Sequence, residues 1–485
     1  MNDSSLPFRS ATQLSQLLTQ KKISSCELLD IYLLQIDRYN AAYNAVIALD
    51  IQAARSVAQG VDDHRARGQE VGALAGLPMT IKDSFEVVGM PTACGLPPLA
   101  KYHAERDADA VKRLRAAGAV VFGKTNVPAG LCDWQTDNPV YGLTRNPWNS
   151  ERTAGGSSGG STAALAAGLT ALELGSDFAG SNRVPAHFCG VFGHRASYGI
   201  IPFRGHIPPM PGSLRPPEMA VVGPLARSAA DLRLALDVLA GPSDPASTAW
   251  RLALPSSRHE RLAEFRVAVW TGGGSYRVDE GYLQAIDAFV EAVRPLVASV
   301  TRAVPPFHVV DDYDLYLKSV FAIVGRHWPI GLDDPKCEPA LPDARDYADR
   351  ARRYVDATFT EWSVLLDRRE RLAQAFGEFF RSYDVLLCPA AMGVAFPHDT
   401  DGPQLLRSTM VSGRPQSYLD NFAWPSIAAC ASLPVTVMPT GRLVEGLPAG
   451  VQIIGPALED HTTLHFAELV ETHVGGFVAP PAVLV

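Results

Sequence analysis

The chain has 485 residues, 47% hydrophobic and 19% charged: enough apolar material for a large buried core, which excludes intrinsic disorder as a description of the whole. Its 43 Lys and Arg stand against 51 Asp and Glu, a formal charge of -8, which argues against a general nucleic-acid binder with a basic footprint. Seven cysteines, an odd number without a C-x-x-C pair, exclude a disulfide framework and a zinc ribbon; Cys132, Cys189, Cys388 and Cys430 sit among apolar or small residues and read as buried reduced thiols of a cytoplasmic protein.

The N-terminus has no basic stretch followed by an apolar one, so no secretory leader is expected. No run of about 18 uncharged apolar residues occurs, so no membrane helix is expected either. Helical periods alternate with short apolar runs, the pattern of an α/β chain. Ser24 and Glu27 form a capping-box pair ahead of an apolar stripe through Leu28, Leu29, Tyr32, Leu33 and Ile36. Leu77–Lys82 reads as a strand, Asp107–Ala117 as a helix closed by Gly118, and Ala119–Phe122 as the next strand. Gly155–Ser161 then opens an Ala/Leu-rich helix, and Leu169–Gly175 reads as a strand leading to a second turn at Gly180 and Ser181. Ser228–Leu239 is predicted as a capped helix, Phe265–Trp270 as a strand and Asp343–Tyr383 as one long Arg-rich helical stretch. Strands at Val385–Cys388, Pro434–Pro439 and Ala449–Ile454 and a helix at Thr462–Glu471 complete the pass. The Pro-rich loop Pro202–Pro217 reads equally as a pocket border and as a surface connection.

The Gly/Ser segment invites three readings. A phosphate-binding P-loop requires Gly-Lys-Ser/Thr at its end, but Gly160 is followed by Ser161. A dinucleotide fingerprint and a G-x-S-x-G nucleophile elbow centred on Ser158 both require a strand immediately upstream, and Asn146–Arg152 is not one.

A fourth reading is more specific. Gly155-Gly-Ser-Ser-Gly-Gly-Ser161, Gly175-Ser-Asp-Phe-Ala-Gly-Ser-Asn-Arg-Val-Pro-Ala186 and Phe188-Cys-Gly-Val-Phe-Gly193 closely resemble the signature of the amidase signature family. Gly76-Leu-Pro-Met-Thr-Ile-Lys-Asp83, Gly123-Lys-Thr-Asn126, Asn146-Pro-Trp148 and Gly446-Leu-Pro-Ala-Gly-Val-Gln-Ile-Ile-Gly455 are similar to its other motifs, in the right order. The resemblance implies one amidase domain over 1–485: a central twisted mixed β-sheet flanked by helices on both faces, with a signature core at about 70–240 and 383–472. A variable helical region at about 245–380 would line or cover the pocket.

The resemblance further implies a Ser–cis-Ser–Lys triad. The nucleophile is Ser181, the bridging serine is Ser157, 24 residues earlier and joined to Gly156 by a cis peptide, and the base is Lys82. The chemistry is coherent by itself. A serine hydroxyl needs a neighbouring base, and a lysine ending an apolar strand can serve once burial lowers its pKa from about 10.4. A second serine relays the proton between them. For a lone lysine, snorkelling to water would be the plainer reading; for Ser157 and Ser158, helix capping would be. Backbone N–H groups of Phe178, Ala179, Gly180 and Ser181 are implied as the oxyanion hole. The chain departs from the common pattern where Phe178 replaces Thr or Ile, Ala179 replaces Gly and Asn182 replaces an apolar residue.

Asp177 and Arg183 read as an ion pair bracing the nucleophile turn. His461 and His465 have helical metal-pair spacing but lack the Glu of H-E-x-x-H, so neither a metal nor a cofactor is expected. His187 and His206 lie near the signature, and the mechanism requires neither. The leading expectation is an amidase acting through a Ser181 acyl-enzyme on an apolar or aryl amide or anilide, and on aryl carbamates (urethanes) and esters as well. Trp134, Phe178, Met210 and Leu214 are the expected pocket residues. Its partners would be a small amide and water, with no nucleic acid or membrane, and a homodimer is allowed. The alternatives are the glutaminase subunit of a tRNA-dependent amidotransferase, a non-catalytic relative, and a thiol amidase using Cys189 or Cys337.

Overall fold

The computed structural model describes residues 5–273, 276–325 and 341–483. Among these, eleven strands form one mixed sheet. They are β1 (Val46–Leu49), β2 (Pro78–Lys82), β3 (Val120–Thr125), β4 (Glu173–Asp177), β5 (Phe192–Arg195), β6 (Val221–Ala226), β7 (Arg266–Val269), β8 (Ser299–Arg302), β9 (Val385–Pro389), β10 (Val435–Val444) and β11 (Leu447–Ile454). Their spatial order is β1-β3-β2-β4-β6-β5-β10-β11-β9-β7-β8. Two parallel sets, β3-β2-β4 and β9-β7-β8, flank an antiparallel centre.

The central strands are buried on both faces, as a sheet covered by helices on both sides requires. Edge strand β8 is largely exposed. Among the described residues, no helix is long and apolar enough to cross a membrane.

Local chemistry explains most element boundaries. The Ser24–Glu27 capping box forms in both directions and starts the Ser25–Tyr43 helix. Ser228 Oγ accepts from Asp231 N at 3.2 Å and starts the Ala229–Leu239 helix. Three expectations need correction. Asn146–Arg152, expected not to be a strand, holds most of one: Asn149–Thr153 pairs with Arg145–Asn146 in a short hairpin outside the main sheet. The strand expected at Leu169–Gly175 is Glu173–Asp177 instead. Its first apolar residues form a turn whose Thr170 Oγ1 donates to Leu172 O and accepts from Thr80 N. Polar Glu173, Ser176 and Asp177 hide this strand from an apolar-run reading. The long Arg-rich stretch is two helices, Pro342–Val355 and Phe359–Ser382. Thr358 and Glu361 make a second capping box, which restarts the helix after the break.

The middle region holds the expected strand β7 and, beyond expectation, β8. Its Asp311–Val324 helix ends with Ile323 and Val324 on the wall of the main cavity. The parallel set β3-β2-β4 matters most for function. Thr80 pairs with Glu173 and Ile81 with Leu174, so Lys82 and Asp177 finish their strands at the same carboxyl edge of the sheet. Open α/β sheets bind ligands at that edge.

Candidate active site

Lys82 is fully buried at the end of β2. Its Nζ lies 2.8 Å from Ser157 Oγ and 3.1 Å from Ser176 Oγ, and it donates to the Ser176 carbonyl oxygen at 3.3 Å. Among the described residues, no carboxylate bonds to it. Burial therefore dominates and lowers its pKa to about 7, against the weaker opposing pull of Cys94, Asp177 and Glu173. A pKa in that range leaves a neutral fraction available near pH 7.

Ser157 follows a cis peptide from Gly156. A side chain at Gly156 would run into the backbone of Asp133 and Trp134. Ser158 begins the Gly159–Ala166 helix, but its hydroxyl does not cap that helix; it donates to Asn182 Oδ1 at 2.9 Å. Ser158 N donates to Ser181 O at 3.1 Å, so the helix start and the Gly180–Ser181 turn are tied together.

The turn itself is built on Asp177. Its carboxylate accepts from Gly180 N at 3.0 Å and Asn182 N at 3.1 Å. Arg183 Nε and Nη2 grip both oxygens at 3.0 and 2.9 Å, and Arg195 Nη1 lies 3.3 Å from Oδ1. Burial would raise the pKa of Asp177, but the two guanidiniums and the turn N–H groups together outweigh it and hold the carboxyl well below its usual range. The expected brace role of Asp177 and Arg183 therefore matches the geometry. Gly180 has φ +95°, where a side chain is strained, and its Cβ position would meet Pro425 at 2.7 Å.

Of the four expected oxyanion donors, Gly180 needs correction, because its N–H is committed to Asp177. Among the described residues, no hydrogen bond occupies the N–H of Phe178, Ala179 or Ser181. Asn182, the polar departure, is fully buried and satisfied. It accepts from Ser158 and donates to His194 O and Gly223 O at 3.2 and 3.1 Å.

Ser157, Ala179 and Ser181 line a cavity of about 290 Å³. Its apolar walls are Trp134, Phe178, Phe203, Ile323, Val324 and Phe422. Trp134 Nε1 donates to Ala179 O at 3.2 Å, and its ring lies 4.0 Å from that of Phe422, so the wall also braces the turn. Ser181 Oγ makes no hydrogen bond among the described residues. It shares the cavity with Ser157 without bonding to it, and such contacts often tighten only with substrate bound.

A sequence profile of the Amidase family matches residues 27–464. The chain belongs to the Amidase family. It is 31% identical to an acylamidase of Rhodococcus erythropolis over 96% of both chains. It is 32% identical to a glutamyl-tRNA(Gln) amidotransferase subunit from Anaeromyxobacter sp. (strain K) over 95% of both. A solved bacterial aryl acylamidase of the amidase signature family superposes with TM-score 0.82, covering 96% of each chain; at 24% identity this likeness speaks for the fold. This amidase is thus a hydrolase of amide C–N bonds.

Several expected residues fall elsewhere in the amidase. Met210 is 48% exposed and lines a neighbouring polar cleft with Glu86, Tyr102 and Arg106. Leu214 is exposed beside it. The Pro-rich loop borders the main cavity at Phe203, His206, Pro208 and Pro209 and again at Arg215–Pro217, and only Met210–Leu214 between them turn to the neighbouring cleft. His187 accepts from Gly450 N at 2.7 Å, contacts Gly393 O at 3.0 Å and stacks on Tyr282. It is a satisfied core histidine. His461 and His465 do not converge: their ring nitrogens meet Pro255 O and Asp237, and Glu260 O and Glu468. Cys189 is buried away from the cavity, and burial pushes its thiol up to about 12, which leaves it unreactive. Cys337 lies outside the described residues.

Two functional neighbours escaped the sequence reading of the amidase: Ser176, in contact with the lysine, and Phe422, on the wall. Ser176 was visible inside the Gly-Ser-Asp motif, but nothing local marks it as a contact of Lys82. Phe422 comes from a stretch with no motif at all.

Proposed function

We propose that this amidase cleaves its substrate through an ester on Ser181. Lys82 Nζ takes the hydroxyl proton of Ser157 as Ser157 takes that of Ser181, and Ser181 Oγ forms a bond to the acyl carbon. The oxyanion that develops would meet the uncommitted N–H groups of Phe178, Ala179 and Ser181. The ammonium of Lys82 returns its proton through Ser157 to the leaving nitrogen, the C–N bond breaks, and the amine departs. Water then attacks the ester by the same relay and releases the acid. The supporting observation is a buried, uncompensated lysine 2.8 Å from Ser157 on the cavity that Ser181 lines.

The aromatic and aliphatic walls favour an apolar or aryl acyl group, so anilides, aryl amides, aryl carbamates and esters are the proposed substrates. The acylamidase relative supports this reading. The amidotransferase relative supports a second, glutamine hydrolysis within a complex. The predominantly apolar lining favours the first reading, although Arg215 and Asp133 on the same wall are charged groups that an amino acid's two charges could use. Hydrolysis of the p-nitroanilides of acetate, butyrate and benzoate against free glutamine separates them. The expected result is turnover of the anilides and loss of both turnover and fluorophosphonate labelling in Ser181→Ala. Preference for glutamine, or full activity in Ser181→Ala, overturns the proposal.

A further inference from the structure

His206 is buried at the end of the cavity, and its protonation can be read from its partners. Its Nδ1 lies 2.8 Å from Pro208 O. A carbonyl only accepts, so Nδ1 carries the ring proton and Nε2 is a bare acceptor. Nε2 lies 2.8 Å from Ser176 Oγ, so the Ser176 hydroxyl donates there. That leaves Ser176 Oγ only as an acceptor toward Lys82, at 3.1 Å.

The consequence passes to the lysine. A neutral amine has two N–H bonds and one lone pair. Ser176 offers two acceptors, its Oγ and its carbonyl oxygen, and these take both N–H bonds. The lone pair is left for the third neighbour, Ser157 Oγ. Were the Ser176 hydroxyl free to rotate, it could donate to that lone pair and compete with Ser157.

The ring is held in place. Phe85 and Phe203 pack on it with centroids at 4.9 and 4.3 Å. Glu86 N donates to Gly205 O and Ile207 N to Ser84 O, which stitches the loop of His206 to the segment just beyond Lys82.

We propose that His206 is a positioning residue that, by holding the Ser176 hydroxyl proton, turns the Lys82 lone pair toward Ser157. The proposal rests on the reading of Lys82 as the base. Burial keeps His206 neutral, with its pKa lowered to about 3, so it stays an acceptor across the working range. The charged and titratable groups that face Lys82 from the other elements are Cys94, Asp177 and Glu173, and none of them bonds to it.

The test is kcat and KM on a p-nitroanilide from pH 5 to 9 for wild type, His206→Leu, His206→Gln, Ser176→Ala and the double variant His206→Leu/Ser176→Ala. Thermal melts verify folding. His206→Leu and Ser176→Ala should each lower kcat about 10–100-fold with KM nearly unchanged, the scale of a misaligned proton transfer. His206→Gln keeps an acceptor for Ser176 and should recover most of the loss. The double variant should be no worse than the poorer single one, since both break one chain. The acid limb should move to lower pH in His206→Leu, because a hydrogen bond donated to the neutral amine favours it. Losses that multiply, a change confined to KM, or a limb moving upward as water enters overturn the proposal. A wild type that forms no Ser181 adduct with a fluorophosphonate overturns the underlying reading and this inference with it. A labelled, active His206→Leu enzyme with wild-type kcat overturns the inference alone.

Discussion

Lys82 and Lys124 stand next to each other at the ends of neighbouring parallel strands, where Ile81 pairs with Lys124 and Lys82 with Thr125. Both are fully buried. Lys124 meets the carboxylate of Asp83 at 3.1 Å and donates to Phe85 O and Pro91 O and to Thr92 Oγ1 at 2.8, 3.2 and 3.2 Å. Lys82 meets two hydroxyls and one carbonyl and, among the described residues, no carboxylate. The contrast separates two uses of a buried amine. Surrounded by acceptors and a counter-ion, it is a strut. Given two hydroxyls and a carbonyl but no counter-ion, it gives up its proton more easily, as the proposed base must.

The sharpest way to break this comparison is to remove each amine in turn. Lys82→Ala should lower kcat about 10²–10⁴-fold, the range for a general base, while leaving the melting temperature close to wild type. Lys124→Met should do the reverse, destabilising by about 3–5 kcal/mol in denaturant titration because Asp83 is left buried without its partner. Adding Asp83→Asn to Lys124→Met should restore part of that loss. If Lys124→Met abolishes turnover in a protein that melts normally, the division of labour is wrong.

The pH profile sharpens the same point. Burial lowers Lys82, so its neutral form dominates above about pH 7. The kcat/KM of the free enzyme should be flat above that value and fall about tenfold per pH unit below it. A limb near pH 4–5 instead would implicate a carboxylate. Phe178→Ala should have a smaller effect, shifting preference toward bulkier acyl groups about tenfold in relative kcat/KM, because it widens the wall beside the nucleophile turn.

The smallest expected effect concerns Glu173, beneath the lysine. Burial raises its pKa to about 8, against bonds from Thr80, Ser161 and Thr125. Between its unfolded value near 4.5 and about 8, the folded state binds the extra proton, so this group makes stability fall as pH rises through that window. Glu173→Gln should flatten that decline and change turnover little. Chemical denaturation at pH 5, 7 and 9 measures it.

The sequence carried the site unevenly, for physical reasons. The turns around Ser157 and Ser181 were legible as glycine-rich motifs, Gly155 and Gly156 being demanded by close approach to Pro185, Asp133 and Trp134 and Gly180 by its φ of +95°; Lys82 was legible as the last residue of an apolar strand. Asp177 and Arg183 were legible as a pair because their partners are local. The contacts of Ser176 with Lys82 and His206 were not, since they span 94 and 30 residues of chain. Met210 was misplaced because a proline-rich string does not reveal which way its loop turns. Six of the eleven sheet strands, β2, β3, β7, β9, β10 and β11, were legible from apolar runs, whereas β1, β5, β6 and β8 went unpredicted and β4 was misaligned because the strand beside Lys82 is polar.

The indole of Trp134 ties wall and turn together through its bond to Ala179 O, beside the place where an acyl group would sit. Any group esterified to Ser181 must alter the polarity around that ring or press on its carbonyl partner. The enzyme therefore carries its own optical gauge of occupancy. The emission of this tryptophan, isolated by difference against Trp134→Phe, should change when a slow acylating agent loads the cavity and return as the ester is hydrolysed.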